Sequence, residues 1–217
     1  MGKVTLFALA ISAIVVAFIA SRATETSRFI GDDANPGIFD LFRTASHKKM
    51  TKSSDGYIQK VSAFINGTKS GQDSSMIDDY YNIVTTFYEY GWGDQFHFAQ
   101  LKQGEDHDSS LARHERDLAF KMGIQATDRV LDAGSGVGGP ARVIHAATGA
   151  EIVGITINEF QIERANFHTK RAGMTEKVKF VQGDYTNMPF DDNSFDKVYS
   201  IEATCHTTNL IDVYQEI

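Results

Sequence analysis

The sequence predicts an α/β fold: a doubly wound parallel sheet, incomplete with about four strands, preceded by a helical region and an N-terminal membrane anchor. Three observations carry this. From Asp128 onward short apolar runs alternate with helical stretches of roughly 10–15 residues, the pattern of βαβ units. A glycine-rich turn, residues 134–139, joins the first of those runs to the first helix. And Val4 to Ala20, VTLFALAISAIVVAFIA, carries no charge, close to the roughly 17–25 apolar residues a spanning helix needs.

The elements follow in order. Residues 1–22 read as the anchor, with a cleavable signal as the rival, because Lys3 precedes the run and Ser21-Arg22-Ala23 resembles a small-x-small cleavage site. Residues 23–75 read as a polar linker, broken by Asn35-Pro36-Gly37, in which Tyr57, Val61, Phe64 and Ile65 predict one short helix. Asn66 to Ser75, NGTKSGQDSS, reads as a loop. Residues 76–217 form the main domain, with an aromatic segment at 80–98 and a sheet-bearing core at 128–217. In it Ile77, Tyr81, Val84 and Tyr88 share one helical face, and Gly91-Trp92-Gly93 stops that helix. A helix over 110–122 places Leu111, His114, Leu118 and Met122 on one side. Strands are expected at 129–132, 151–156, 178–181 and 197–201. Between them, Pro140 opens one helix and Gly149 closes it, while Asn158 caps the next, which ends at Gly173. A last helix starts at Asn209, with Leu210, Tyr214 and Ile217 on one face. Four strands with an open edge make a poor free-standing sheet, so the chain reads as the front part of a longer protein.

Composition excludes some functions. The net charge is −7 with no basic stripe, which argues against nucleic acid as a partner. The one cysteine, Cys205, allows no internal disulfide and suits a reducing compartment; it reads as a small buried hydrophobe. No metal site is expected.

VLDAGSGVGGP, residues 130–140, follows a strand and opens a helix. Glycines there let a ligand approach without meeting a Cβ, and the helix N-terminus offers unpaired N–H groups. The spacing of 134, 136 and 139 also satisfies the dinucleotide fingerprint. Two acids decide between ligands. Asp132, two residues before the first glycine, suits a ligand carrying an ammonium and a sulfonium and would repel a pyrophosphate. Asp184, after the third strand, can accept from an adenine amino group. The second strand ends Gly154-Ile155-Thr156, with no acid for a ribose hydroxyl of a nicotinamide dinucleotide. D-x-G-x-G-x-G with a later G-D is the pattern of class I S-adenosylmethionine-dependent methyltransferases, a Rossmann-like fold; a nicotinamide site and a bare structural turn stay as alternatives.

The segment YYNIVTTFYEYGWGDQFHF, Tyr80 to Phe98, gathers eight aromatic residues, including the chain's one tryptophan, and no lysine or arginine. With YEYGWG at 88–93, FHF at 96–98, ARHE at 112–115, LDAGSGVGGPAR at 131–142 and IEATCH at 201–206, the chain closely resembles sterol 24-C-methyltransferases from about Ile77 to its end. The resemblance implies methyl transfer from S-adenosyl-L-methionine to the side-chain double bond of a Δ24-sterol at a membrane. It departs from the family at Ser135, where cysteine is common, at Thr86, where aspartate is common, at Thr156, where asparagine is common, and at Thr207-Thr208, where relatives read alanine-proline.

What the resemblance implies for residues is specific. Methylating an alkene leaves a carbocation, which aromatic faces stabilise without trapping it, at about 0.5–2 kcal/mol each. Tyr81, Tyr88, Tyr90, Trp92 and Phe96 are the sterol-contacting candidates, with helix core as the plain alternative for any single ring. Tyr81, Glu89, Glu202 and His206 are the catalytic candidates, the last two lying just past the fourth strand, at the edge where such sheets bind ligands. The cofactor set is Asp132, Gly134, Gly136, Gly138, Thr156, Gln161, Asp184 and Tyr185. His114 and Glu115 read either as part of the family motif or as the polar flank of a helix. Another lipid or isoprenoid acceptor, such as a tocopherol or phospholipid, and an inactive truncated remnant are the competing functions. The anchor and the cytosolic cofactor imply the endoplasmic reticulum membrane with the catalytic part in the cytosol, which the sequon Asn66-Gly67-Thr68 can report. A homo-oligomer is left open.

Overall fold

The computed structural model describes residues 46–65, 74–207 and 209–217. The proposed anchor at 1–22, most of the linker and the loop at 66–73 lie outside the described residues; among those described, no helix is long and apolar enough to cross a membrane. The chain divides into two compact units, one up to Val84 and one from Thr85.

The first unit holds helix α1, Ser46–Ile65, and the first part of α2, Ser74–Trp92. α1 starts well before the short helix expected near Tyr57: its polar, lysine- and serine-rich first half and Gly56 carry no apolar stripe, so the apolar pattern marks only the second half. Lys60 donates to Asp79 (2.6 Å), joining the two helices, and Gly56 lets them close, because a Cβ there would lie 2.8 Å from the Asp79 carboxylate. Tyr57 is buried and its ring lies 5.7 Å from that of Tyr80.

The second unit is the α/β sheet. α3, His107–Lys121, begins at Asp106, whose carboxylate accepts from the Ser109 amide (2.8 Å), satisfying one of the first-turn donors. Its inward stripe is Leu111, Glu115 and Ala119, with Leu118 and Met122 packed against the core; His114, expected on this side, is exposed. β1 (Arg129–Ala133), α4 (Gly139–Thr148), β2 (Glu151–Thr156), α5 (Glu159–Arg171), β3 (Val178–Gln182) and β4 (Lys197–Tyr199) follow. Gly149, at φ 77°, terminates α4, and Asn158 accepts from the Gln161 amide (2.8 Å) to start α5. Past β4 come a 3₁₀ turn, Thr204–His206, and α6, Leu210–Glu216. On α6 the buried residue is Val213; Leu210, Tyr214 and Ile217, expected on one face, are all exposed.

All strand pairs are parallel, in the order β3-β2-β1-β4. β1 is therefore central and buried, with Val130, Ile152, Val178 and Tyr199 meeting Ala141 and Ile144 of α4 in the core. The chain runs outward from β1 through β2 to β3, then returns to place β4 on the other side of β1. That reversal opens a crevice at the carboxyl ends of β1 and β4, where open α/β sheets bind ligands.

Candidate active site

The glycine loop fills that crevice. Gly134, Gly136 and Gly138 have φ of 90°, 54° and 77°, in the left-handed region that side chains disfavour. Their surroundings divide them by role. A Cβ on Gly134 would lie 2.2 Å from Ala203 past β4, and one on Gly138 would lie 2.2 Å from the Phe180 ring of β3. These two are demanded by the protein's own packing. A Cβ on Gly136 would meet only Phe96, at 3.7 Å, so this glycine faces the open side. Gly134 to Val137, Pro140, Ile201, Asp94, Phe96 and His97 line a shallow cleft open to solvent.

Residues 94–98 cross this cleft as a strap held at four points. Asp94 pairs with Arg142 of α4, which is buried and also donates to the Val137 carbonyl (2.9 Å). Gln95 donates to Glu115 Oε2 (3.2 Å), and His97 Nε2 lies 2.8 Å from Glu115 Oε1. The Phe98 amide donates to Glu202 (3.0 Å). The strap carries aromatics with it. Tyr88 stands edge-on to Trp92 and to Phe96 at 6.2 and 5.4 Å, and Trp92 edge-on to Phe98 at 6.0 Å. A continuous aromatic wall thus runs from the end of α2 to the glycine loop.

Asp132 lies behind the loop and does not line the cleft. It is 2% exposed, Oδ2 has no hydrogen-bond partner, and burial pushes its carboxyl up to about 7. Tyr199, its neighbour across the β1–β4 ladder, pulls the other way, but its hydroxyl closes no bond. Ser135 Oγ, which does line the cleft, is also buried and unpartnered. Two orphaned polar oxygens at a glycine cradle suit a ligand that offers them hydrogen-bond partners, because a buried polar group left unpaired costs about 1–3 kcal/mol.

The remaining candidates fall into place unevenly. Thr156 donates to the Gln161 side chain (2.7 Å), both buried at the end of β2. Asp184 accepts from the Thr186 amide and hydroxyl (2.9 and 2.7 Å) in a turn after β3. The Tyr185 hydroxyl donates to the Ala203 carbonyl (3.1 Å), and burial pushes it up to about 12. Glu202 sits at φ 51°, a left-handed position unusual outside glycine. His206 is half-buried and burial lowers its pKa, leaving it neutral at pH 7. Glu89 is not in the cleft: Arg164 donates to both its oxygens (3.0 and 2.8 Å) and His168 lies at 2.6 Å, anchoring α2 to α5. Tyr81 belongs to the first unit, edge-on to Tyr80 at 5.3 Å. The Tyr90 side chain lies outside the described ones. Cys205 is exposed, correcting the expectation of a buried hydrophobe, because the 3₁₀ turn lifts it off the sheet edge. Glu115, read as either motif or polar flank, is fully buried. Asp94, Gln95, His97 and Arg142 were not singled out as site residues; a helix-end segment gives no periodicity from which to read its partners.

The comparisons with known proteins agree with this geometry. The family described as a methyltransferase domain matches residues 131–217. The chain is homologous to a sterol 24-C-methyltransferase of Kluyveromyces lactis, 53% identical over 138 residues, 64% of this chain and 37% of that protein. A sterol 24-C-methyltransferase of Yarrowia lipolytica is 45% identical over 193 residues, 79% of this chain and 50% of its own length. The chain thus spans about half or less of the curated relatives it matches. Among solved structures, a protein described as a sarcosine dimethylglycine methyltransferase from Galdieria sulphuraria superposes with a TM-score of 0.57 at 28% identity, covering 60% of this chain and 52% of that one. The [4+2]-cyclase SpnF, at 22% identity and a TM-score of 0.62, covers 67% of this chain and 55% of its own, and shares the fold. The sheet is that of a class I methyltransferase.

Proposed function

We propose that this chain carries the cofactor site and an aromatic substrate wall of a sterol C-methyltransferase, which methylates the C24 side-chain double bond of a Δ24-sterol in sterol biosynthesis. The observation that carries the reading is the strap: it sets Phe96, joined to Tyr88 and Trp92, against the glycine that faces the open cleft. S-adenosyl-L-methionine, when bound, supplies an electrophilic methyl group on a positively charged sulfur. Gly134, Gly136 and Ser135 would hold it along the loop, with Asp132 behind them; Thr156, Gln161, Asp184 and Tyr185 stand at the ends of the neighbouring strands.

The substrate's π electrons would form the new carbon–carbon bond as the methyl–sulfur bond breaks, its electron pair staying on sulfur as a neutral thioether, so the positive charge would pass to the sterol side chain. The aromatic wall stabilises it, at about 0.5–2 kcal/mol for each ring face, and exists to meet charge that appears only as the bond forms. A base must then take one proton to restore a neutral alkene. Glu202 and the neutral His206, both beyond β4, are the groups to which we assign that step. A phenol or amine acceptor would need a base before transfer and gain nothing from such a wall, which separates this reading from the other lipid acceptors. Residues 1–22 would hold the protein to the endoplasmic reticulum membrane with the catalytic part in the cytosol.

Calorimetry tests the cofactor half of this reading. S-adenosylhomocysteine should bind and NADH should not; the reverse outcome would remove the methyltransferase assignment.

A further inference from the structure

A single buried carboxylate holds both neighbours of Phe96. Glu115 is 0% exposed, and its two oxygens are divided between Gln95 on one side of Phe96 and His97 on the other. His97 is 3% exposed, and both its ring nitrogens face acceptors: Nε2 the Glu115 carboxylate at 2.8 Å and Nδ1 the Phe98 carbonyl at 3.1 Å. A neutral imidazole has one N–H and can satisfy only one of them; two acceptors require the doubly protonated ring. An unpaired buried carboxylate would be strongly unfavourable, whereas an imidazolium beside it leaves the pair neutral.

We propose that Glu115 and His97 form an ion-paired latch that positions Phe96 over the glycine loop, making both of them positioning residues for the aromatic wall. This rests on the methyltransferase reading for the purpose of the wall, and on the side-chain geometry alone for the latch. Burial by itself would lower the His97 pKa; the bonds to Glu115 and to the Phe98 carbonyl outweigh it and raise it. The other charged or titratable groups facing the ring are Asp132 from β1, Glu202 from beyond β4 and His114 of α3, whose ring centroid lies 5.5 Å away. With both nitrogens committed, His97 is not free to shuttle protons, although it lines the cleft.

Two measurements on the protein expressed from its complete gene decide this. Nitrogen-15 NMR of labelled histidine should show both His97 nitrogens protonated at pH 7.5, and Glu115→Gln should let the ring lose its proton at least one pH unit lower. The double variant His97→Gln/Glu115→Gln leaves no uncompensated buried charge and serves if the single variant does not fold. Coupling is then read from S-adenosylhomocysteine affinity. Phe96→Leu and the latch variant should each weaken binding several-fold, and combining them should cost no more than the larger alone, because both act through one ring. A neutral His97 at pH 7.5, or losses that multiply, would overturn the latch. Absence of any S-adenosylhomocysteine binding would instead remove the cofactor reading, and the His97 protonation state would still decide the latch.

Discussion

Asp132→Asn separates what the cofactor site costs the fold from what it gives to binding. The carboxyl is fully enclosed and its folded pKa is about 7, against 3.8 in its ordinary state. The folded chain therefore holds this proton more tightly than the unfolded chain does. The sign follows from linkage: stability is fully present below about pH 4 and declines as pH rises toward 7, because the unfolded chain ionises freely and the folded chain cannot. At about 1.36 kcal/mol per unit, Asp132 removes about 3 kcal/mol between pH 5 and pH 8. Asparagine has no such titration. Urea unfolding of both proteins at pH 5 and pH 8 should show the wild type losing about 3 kcal/mol more than the variant over that interval. His97 drifts in the same direction, since its raised pKa also makes stability fall at high pH, but it is present in both proteins and cancels. Replacing the carboxyl should meanwhile weaken S-adenosylhomocysteine binding by roughly 10-fold, as for the loss of one buried polar partner behind the loop. Parallel pH profiles would refute the claim that Asp132 is held protonated by burial.

Gly138→Ala should destabilise the fold by several kcal/mol, since its Cβ would lie 2.2 Å from the edge of the Phe180 ring, whereas Gly136→Ala should cost only about 1 kcal/mol of stability and chiefly reduce cofactor affinity; denaturant midpoints and calorimetry check both. On the proposed function, Trp92→Leu should lower kcat more than it raises the sterol KM, because its ring would meet charge that arises only during transfer; equal losses would indicate packing alone. Asn66 should remain unmodified in a eukaryotic cell, and a glycosidase-sensitive mobility shift abolished by Asn66→Gln would place the domain in the lumen instead.

The sheet was legible because local signals agreed. Asn158, Pro140 and Gly149 mark helix ends, and β2 reads as a continuous apolar run since a central parallel strand is buried on both faces. α1 was half legible: Tyr57 and Val61 mark its second half, while its polar first half shows no apolar stripe. The glycine loop was visible, but not the division of labour within it, which depends on Ala203 and Phe180 arriving from far along the chain. Glu115 was the hardest residue to place. A charged residue in the helix sequence ARHE is ordinarily solvated, and its burial follows from a histidine 18 residues earlier. Likewise Glu89, plausible as a base from its place among aromatics, has its carboxylate engaged by Arg164.

Transfer of a methyl group to a side-chain alkene is the reaction we propose for this cleft. Incubation of the protein expressed from its complete gene with deuteromethyl-labelled S-adenosylmethionine and a panel of acceptors tests it most directly, with mass spectrometry of the products. The panel comprises Δ24-sterols, their side-chain-saturated counterparts, a tocopherol precursor and a phospholipid amine. Label should appear only in the Δ24-sterols, attached at C24. Label in the saturated sterols, the phenol or the amine, with none in the Δ24-sterols, would contradict it.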